Sequence, residues 1–347
     1  MPTLLVGPNW VGDMIMSHGL ISYLKAKRPD DELHVLAPRW SLAVAGRMAE
    51  VDQLIELPFS HGELCLKARW DFARSLIKNK YHRAFVLPNS FKSALIPAMA
   101  RIPRRIGWRG EYRYKLLTDL RVLHKDRFPG MIDRYMALGF PANLALSANQ
   151  LPEAPKFPEL IVDPAIRALL LSKHGLDEVR LIALCPGAEF GPAKQWPIDR
   201  YAVLAHRLVA SGLQVMLMGS ANDWSNNQVI SDAIPEVHRS DVINLAGRTT
   251  MPEAIDLVGA ARAVVSNDSG LMHVAAATGR PLIALFGPSS PLHTPPLSAK
   301  AITLTNPISC HPCFERTCPL IHQACLSELS VDEVLSALNT LLVQETW

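Results

Sequence analysis

No apolar stretch in the 347-residue chain approaches the roughly 18 residues that a membrane-spanning helix needs. The richest window, around Ala275–Phe286, is broken by Gly279, Arg280 and Pro281. The opening Met-Pro-Thr-Leu-Leu-Val-Gly carries no basic leader and meets Asp13 before any apolar run of signal length, so export is not expected. An excess of one charge is also missing: 35 Lys and Arg face 32 Asp and Glu, which gives no whole-molecule field for nucleic acid. Cysteine is scarce, six in all, and in a chain read as cytoplasmic these are thiols or metal ligands rather than a disulfide framework. Repeats at the 20–50-residue periods of solenoids are absent.

What is present describes a globular enzyme-sized chain. With 49% hydrophobic and 19% charged residues it can bury real cores, and its length suggests two of them. The near-neutral total hides a division. Residues 1–150 hold 22 Lys and Arg against 13 Asp and Glu, whereas residues 151–347 hold 13 against 19.

Short β-type runs alternate with helical patterns in both halves, as parallel sheets built from βαβ units require. Strands are expected at Thr3–Val6, Glu32–Leu36 and Arg83–Leu87, then at Leu181–Leu184, Gln214–Met218, Ala263–Ser266 and Leu282–Phe286. Helices are expected at Met14–Lys27 and Leu66–Asn79, and later at Arg200–Ala210, Pro252–Ala261 and Gly270–Thr278. Five prolines from Pro141 to Pro164 oppose a continuous helix or central strand. The expected division is therefore a first Rossmann-like domain over 1–150, a linker over 151–165, a second domain over 166–330, and a helix over 331–347 with the length to pack back across the linker. In such doubly wound sheets ligands sit beyond the carboxyl ends of the strands, so the loops after strands are where chemistry belongs.

Gly7-Pro8-Asn9-Trp10-Val11-Gly12-Asp13 follows the first strand, and its glycine spacing is not the dinucleotide fingerprint. Asp13 at a helix start reads either as a dipole-favoured carboxylate or as a general base. Cys185 through Pro197 is too rich in Gly and Pro to be helical, and its one cation, Lys194, is either solvated or set to neutralise a phosphate. Ser266-Asn267-Asp268-Ser269-Gly270-Leu271-Met272-His273 ends a strand and starts a helix, a place where free N–H groups bind anions, although capping alone would also explain Asp268 and Ser269. Gly219 to Asp223 and Gly287 to Pro291 follow strands on the same rim. In the first half Arg101, Arg104, Arg105, Arg109, Arg113 and Lys115 crowd together among Trp108, Tyr112 and Tyr114, with Asn89 and Lys92 upstream. That is a solvated basic face or a receptor for anionic groups. Finally, Cys310-x2-Cys313-x4-Cys318-x6-Cys325 could bind zinc or form a thiol-rich structural loop.

These segments together resemble the heptosyltransferases that build the inner core of bacterial lipopolysaccharide, over essentially the whole chain. The resemblance implies a GT-B fold, two Rossmann-like doubly wound domains facing a central cleft. It implies an inverting glycosyltransferase that moves L-glycero-D-manno-heptose from ADP-heptose to the first heptose of the lipid A–Kdo core. Asp13 then matches the general base and Lys194 the cation beside the donor diphosphate. Gly187, Asp223, Thr249, Thr250, Asp268, Ser269, Gly270 and His273 fall on the donor side. Asn89, Lys92, Arg109 and Arg113 are the acceptor-side candidates. No cofactor and no catalytic metal are implied, zinc at Cys310, Cys313, Cys318 and Cys325 staying open. A monomer working at the cytoplasmic face of the inner membrane, in contact with its surface and not with nucleic acid, is expected. A GT-B sugar-nucleotide epimerase and a thiol or metal-binding module are the competing readings.

Overall fold

The structure, a computed structural model, describes residues 1–59, 63–144 and 146–344. The chain forms two compact units, Met1–Pro158 and Glu159–Trp347. In the first, β1 (Thr3–Val6), β2 (Leu33–Ala37), β3 (Gln53–Glu56), β4 (Arg83–Val86), β5 (Arg104–Trp108) and β6 (Asp119–Arg121) build one sheet in the order β3-β2-β1-β4-β5-β6. In the second, β7 (Leu181–Cys185), β8 (Gln214–Leu217), β9 (Val242–Asn244), β10 (Ala263–Asn267), β11 (Leu282–Phe286) and β12 (Ala301–Thr305) follow the order β12-β11-β10-β7-β8-β9. Every strand pair is parallel. Counted within its own unit, each sheet therefore has the same order, 3-2-1-4-5-6.

That order reverses between β1 and β4 and again between β7 and β10, and at each reversal the connecting segments leave in opposite directions and open a crevice. Register keeps the crevices flush. Val6 lies opposite both Leu36 and Val86, so the loops after β1 and β4 leave the sheet edge together. Ser266 lies opposite Cys185, which sets the Asn267–Gly270 turn beside the Pro186–Lys194 loop.

The central strands read as unbroken apolar runs, TLLV, LIALC and LIALF, because helices cover both faces, and all their residues are buried. Removing each large aliphatic side chain from water contributes about 1.5–3 kcal/mol. The edge strand β3 is mostly exposed, and β6 and β9 have three residues each, too short and too polar to announce themselves by periodicity. β5 was hidden for another reason: its sequence, RRIGW, carries two of the cations that made this stretch look like a basic patch.

Two local expectations need correction. The helix expected over Met14–Lys27 divides at Ser17 into Val11–Met16 and His18–Lys27, and at the division the Ser17 hydroxyl donates back to the Met14 carbonyl at 2.6 Å. The expected 151–165 linker runs into a helix, Pro164–His174: Pro164 occupies the first helical turn, where no N–H is needed, and the Asp163 carboxylate accepts from the N–H groups of Ala165 and Ile166. The final helix, Val331–Gln344, packs on the second unit, with Val331, Val334, Leu338 and Leu341 in one core with Trp196, Tyr201, Ile283 and Leu285. Residues 345–347 of that expected segment lie outside the described residues.

Candidate functional site

In the second unit the crevice at the β7/β10 reversal is held by Asn267, the last residue of β10, which is fully buried. Its side-chain oxygen accepts from the Trp196 N–H at 3.1 Å and the Tyr201 hydroxyl at 3.0 Å, and its amide donates to the Pro186 carbonyl. One side chain thus ties both ends of the Pro186–Trp196 loop to the strand end. Sequence reasoning passed over Asn267 as part of a polar turn. The available signal was an Asn, poor in strands, at the end of an apolar run.

On this frame Lys194 donates to Asp268 at 2.5 Å, and the Ser289 hydroxyl donates to the same carboxylate oxygen. Lys194, Asp268 and Ser289 are each at least mostly buried, so this contact is shielded from solvent, and removing one partner would strand the other. The helix Gly270–Ala277 starts at Ser269, whose side chain forms no cap on that helix. A helix start without a side-chain cap is the kind of place where first-turn N–H groups can hold an anion. His273, on that first turn, is 4% exposed. Burial pushes its imidazole down to about 4, against the pull of Asp268 and with the push of Lys194. It is neutral at physiological pH, suited to hydrogen bonding with a hydroxyl rather than to holding a phosphate by charge.

The loops after β8 and β9 adjoin. Gly247 donates to the Gly219 carbonyl at 3.1 Å, and its φ of 68° suits the close approach of Ala221 backbone, which a side chain would strike. The Asp223 carboxylate lies directly over Gly187, which cannot carry a Cβ there. One Asp223 oxygen is already used, accepting from the Ser220 N–H and hydroxyl, each at 2.8 Å. Thr250 is used as well. Its hydroxyl and the Glu253 carboxylate cap the helix Met251–Val258 reciprocally, so a capping box engages the hydroxyl expected on the donor side. Thr249 precedes it in the same loop, half-buried.

The crevice at the β1/β4 reversal is built differently. Asp13 sits in the first turn of Val11–Met16, half-buried. Its partner is Tyr135, a buried residue of the helix Met131–Gly139. Burial first, then the Asp13 charge and their hydrogen bond, push the phenol well above its usual range, so it stays a neutral donor to the carboxylate. Nothing in the sequence links positions 122 residues apart, and Tyr135 was not anticipated.

The basic cluster comes apart on inspection. Arg113 is fully buried and donates to the carbonyls of Trp108, Pro88 and Ser90, to the Ser93 hydroxyl, and to Asn89 Oδ1 at 2.9 Å. Burial draws its guanidinium down to about 10. It is a fastener of the Pro88–Ser93 loop and not an acceptor-binding group, because its donors are engaged by the protein itself. Arg105 likewise donates to Leu116 at 2.6 Å and to Ile102, and Arg104 pairs with Asp119 at 3.2 Å. Arg101, Arg109 and Lys115 remain exposed, and Lys92 is half-buried in the first turn of the helix Phe91–Met99. Asn89 is exposed beside it with its side-chain oxygen on Arg113.

All six cysteines are free thiols, and Cys310, Cys313, Cys318 and Cys325 line one small cavity with His311 and His322. Among the described residues no group of three or more His, Cys, Asp or Glu is arranged to hold a metal ion. Nor is any helix among them long and apolar enough to cross a membrane.

Residues 69–323 match the model of glycosyltransferase family 9 (heptosyltransferase). The chain is 45% identical to lipopolysaccharide heptosyltransferase 2 of Salmonella typhimurium over 99% of both chains, and 49% identical to lipooligosaccharide heptosyltransferase 2 of Haemophilus influenzae over 87% of both. The solved structure of the ADP-heptose lipopolysaccharide heptosyltransferase II of Escherichia coli is similar over all of both chains, with a TM-score of 0.91 at 43% identity, which makes the fold GT-B-like. The chain belongs to glycosyltransferase family 9, the heptosyltransferase family, and is a glycosyltransferase.

Proposed function

We propose that this enzyme transfers L-glycero-D-manno-heptose from ADP-heptose to the first heptose of the Kdo–lipid A inner core, with inversion at the anomeric carbon. The observation that carries this reading is the full-length 45% identity to a heptosyltransferase 2, in a chain that brings Lys194 and Asp268 together at its second switch point. That site suits the donor. The diphosphate meets the open helix start at Ser269–Gly270 and Lys194, while Asp268 and neutral His273 accept or donate to sugar hydroxyls. Gly187, Thr249 and the remaining Asp223 oxygen face the nucleoside.

In the transfer an acceptor hydroxyl oxygen forms a bond to the anomeric carbon as the bond from that carbon to the β-phosphate oxygen breaks. Asp13, held by Tyr135, takes the hydroxyl proton. ADP leaves with the bonding electron pair, and Lys194 offsets the charge that grows on it. The step balances without a cofactor. Asn89, Lys92 and Arg109 receive the anionic acceptor, whose phosphates and carboxylates suit exposed cations. The protein works as a monomer on the cytoplasmic surface of the inner membrane, where such a lipid presents its sugars.

The direct test is mass spectrometry of the product from ADP-heptose and a core acceptor carrying a single heptose. Addition of one heptose is expected. Consumption of ADP-heptose without acceptor would favour an epimerase, and transfer only to a heptose-free core would make this a sibling enzyme.

A further inference from the structure

The cysteine-rich segment between β12 and the helix Ala324–Ser327 has no part in the reading above, yet it is fastened to the Lys194 loop at several points. The Ala193 N–H donates to the Arg316 carbonyl at 3.1 Å, and Gln323 Nε2 donates to the Pro192 carbonyl at 2.7 Å. Gly191, with φ of 157°, lies against that same Arg316 carbonyl, which a Cβ would strike. These main-chain contacts fix where the Arg316 side chain begins. The guanidinium then lies 5.2 Å from the centre of the Phe190 ring, and the Lys194 ammonium lies 4.9 Å from the same centre.

Phe190 thus brings two cations to one ring. Lys194 already faces Asp268, so most of its charge is cancelled before a diphosphate arrives. Arg316 is exposed and makes no ion pair among the described residues. Its planar fork can hold two phosphate oxygens at once, and lying on Phe190 reduces the side-chain freedom lost when it does.

We propose that Arg316 is a second diphosphate-binding cation of the donor site, closing with Lys194 on the nucleoside diphosphate, and that the cysteine-rich segment carries it there. This inference rests on the donor assignment of the Lys194 loop.

The test is calorimetric titration of the full-length protein with ADP and with adenosine, using Arg316→Ala, Arg316→Lys and Lys194→Ala. Arg316→Ala is expected to weaken ADP about tenfold or more while leaving adenosine unchanged. Arg316→Lys should restore part of the loss, because the charge returns without the fork. The thermal midpoint should stay put, since the fastening contact is a main-chain carbonyl that the substitution keeps. ADP affinity within twofold of the parent in Arg316→Ala, with Lys194→Ala clearly weakened, would overturn the inference and leave the donor assignment standing. Equal losses for ADP and adenosine would also overturn it, by showing that Arg316 only shapes the loop. If Lys194→Ala and Arg316→Ala both bind ADP normally, the donor assignment itself fails and the inference falls with it.

Discussion

The two units share one strand order and place a crevice at the same point of it, yet they use their charges in opposite ways. At the second switch point the cation, Lys194, is kept at the surface of the crevice by Asp268 and Ser289, and buried Asn267 secures the loop behind it. At the first, the most buried cation, Arg113, is itself the fastener, and the groups proposed to meet a ligand include half-buried Asp13 and exposed Arg109. An amide holds one loop and a guanidinium the other. Counting basic residues along the sequence therefore says little about which of them a ligand meets.

The sharpest way to break this comparison is at Asp13. Asp13→Asn should bind ADP normally, because the proposed donor groups belong to the second unit, while turnover falls about 10²–10⁴-fold. Near-normal turnover would show that the first crevice holds no base. Within the same experiment Tyr135→Phe removes a hydrogen bond to the charged carboxylate and should move the acid limb of the turnover profile to higher pH. In an Asp13→Asn background that substitution should change little.

Next in size is the contrast between Arg113 and Arg109. Arg113→Met leaves several buried carbonyls without donors and should cost about 2–4 kcal/mol in a denaturant titration. Arg109→Ala, at an exposed site, should cost within about 0.5 kcal/mol while raising the acceptor KM. Equal stability losses would mean that the first loop is not fastened as described.

His273 gives a pH signature for the second unit. Its unfolded imidazole protonates near the usual pH of about 6.5, whereas the folded one resists down to about 4. The unfolded chain therefore gains protons first, and stability present above pH 6.5 is lost as the pH falls towards 4. Comparing thermal midpoints at pH 7 and pH 4.5, His273→Asn should flatten the fall by about 2 kcal/mol. The smallest effect is Thr250→Ala, expected to cost about 1 kcal/mol as a lost cap and to leave the donor KM unchanged. A tenfold rise in that KM would return Thr250 to the ligand side.

Much of this architecture was legible because it depends on short-range pattern. Apolar runs such as Leu181–Cys185 and Leu282–Phe286, bounded by turn residues, read as central strands, and ligands in such sheets belong at the turns after them. The Lys194 loop and the Asp268–His273 turn were found in that way. The strands β3, β6, β9 and β12 were not, since edge strands need little apolar periodicity.

By itself, then, the sequence determined two parallel sheets, the loops that matter, and through its long matching segments the family. The partners of each polar group were decided only by the tertiary structure, because a hydrogen bond joins whatever the fold brings within reach regardless of separation along the chain. Tyr135 meets Asp13, Asn267 meets Tyr201, and Arg316 comes to the ring beside Lys194 across far greater sequence distances than any motif spans. Arg113 and Arg109 are four residues apart with the same chemistry, and burial alone separates a fastener from a candidate ligand.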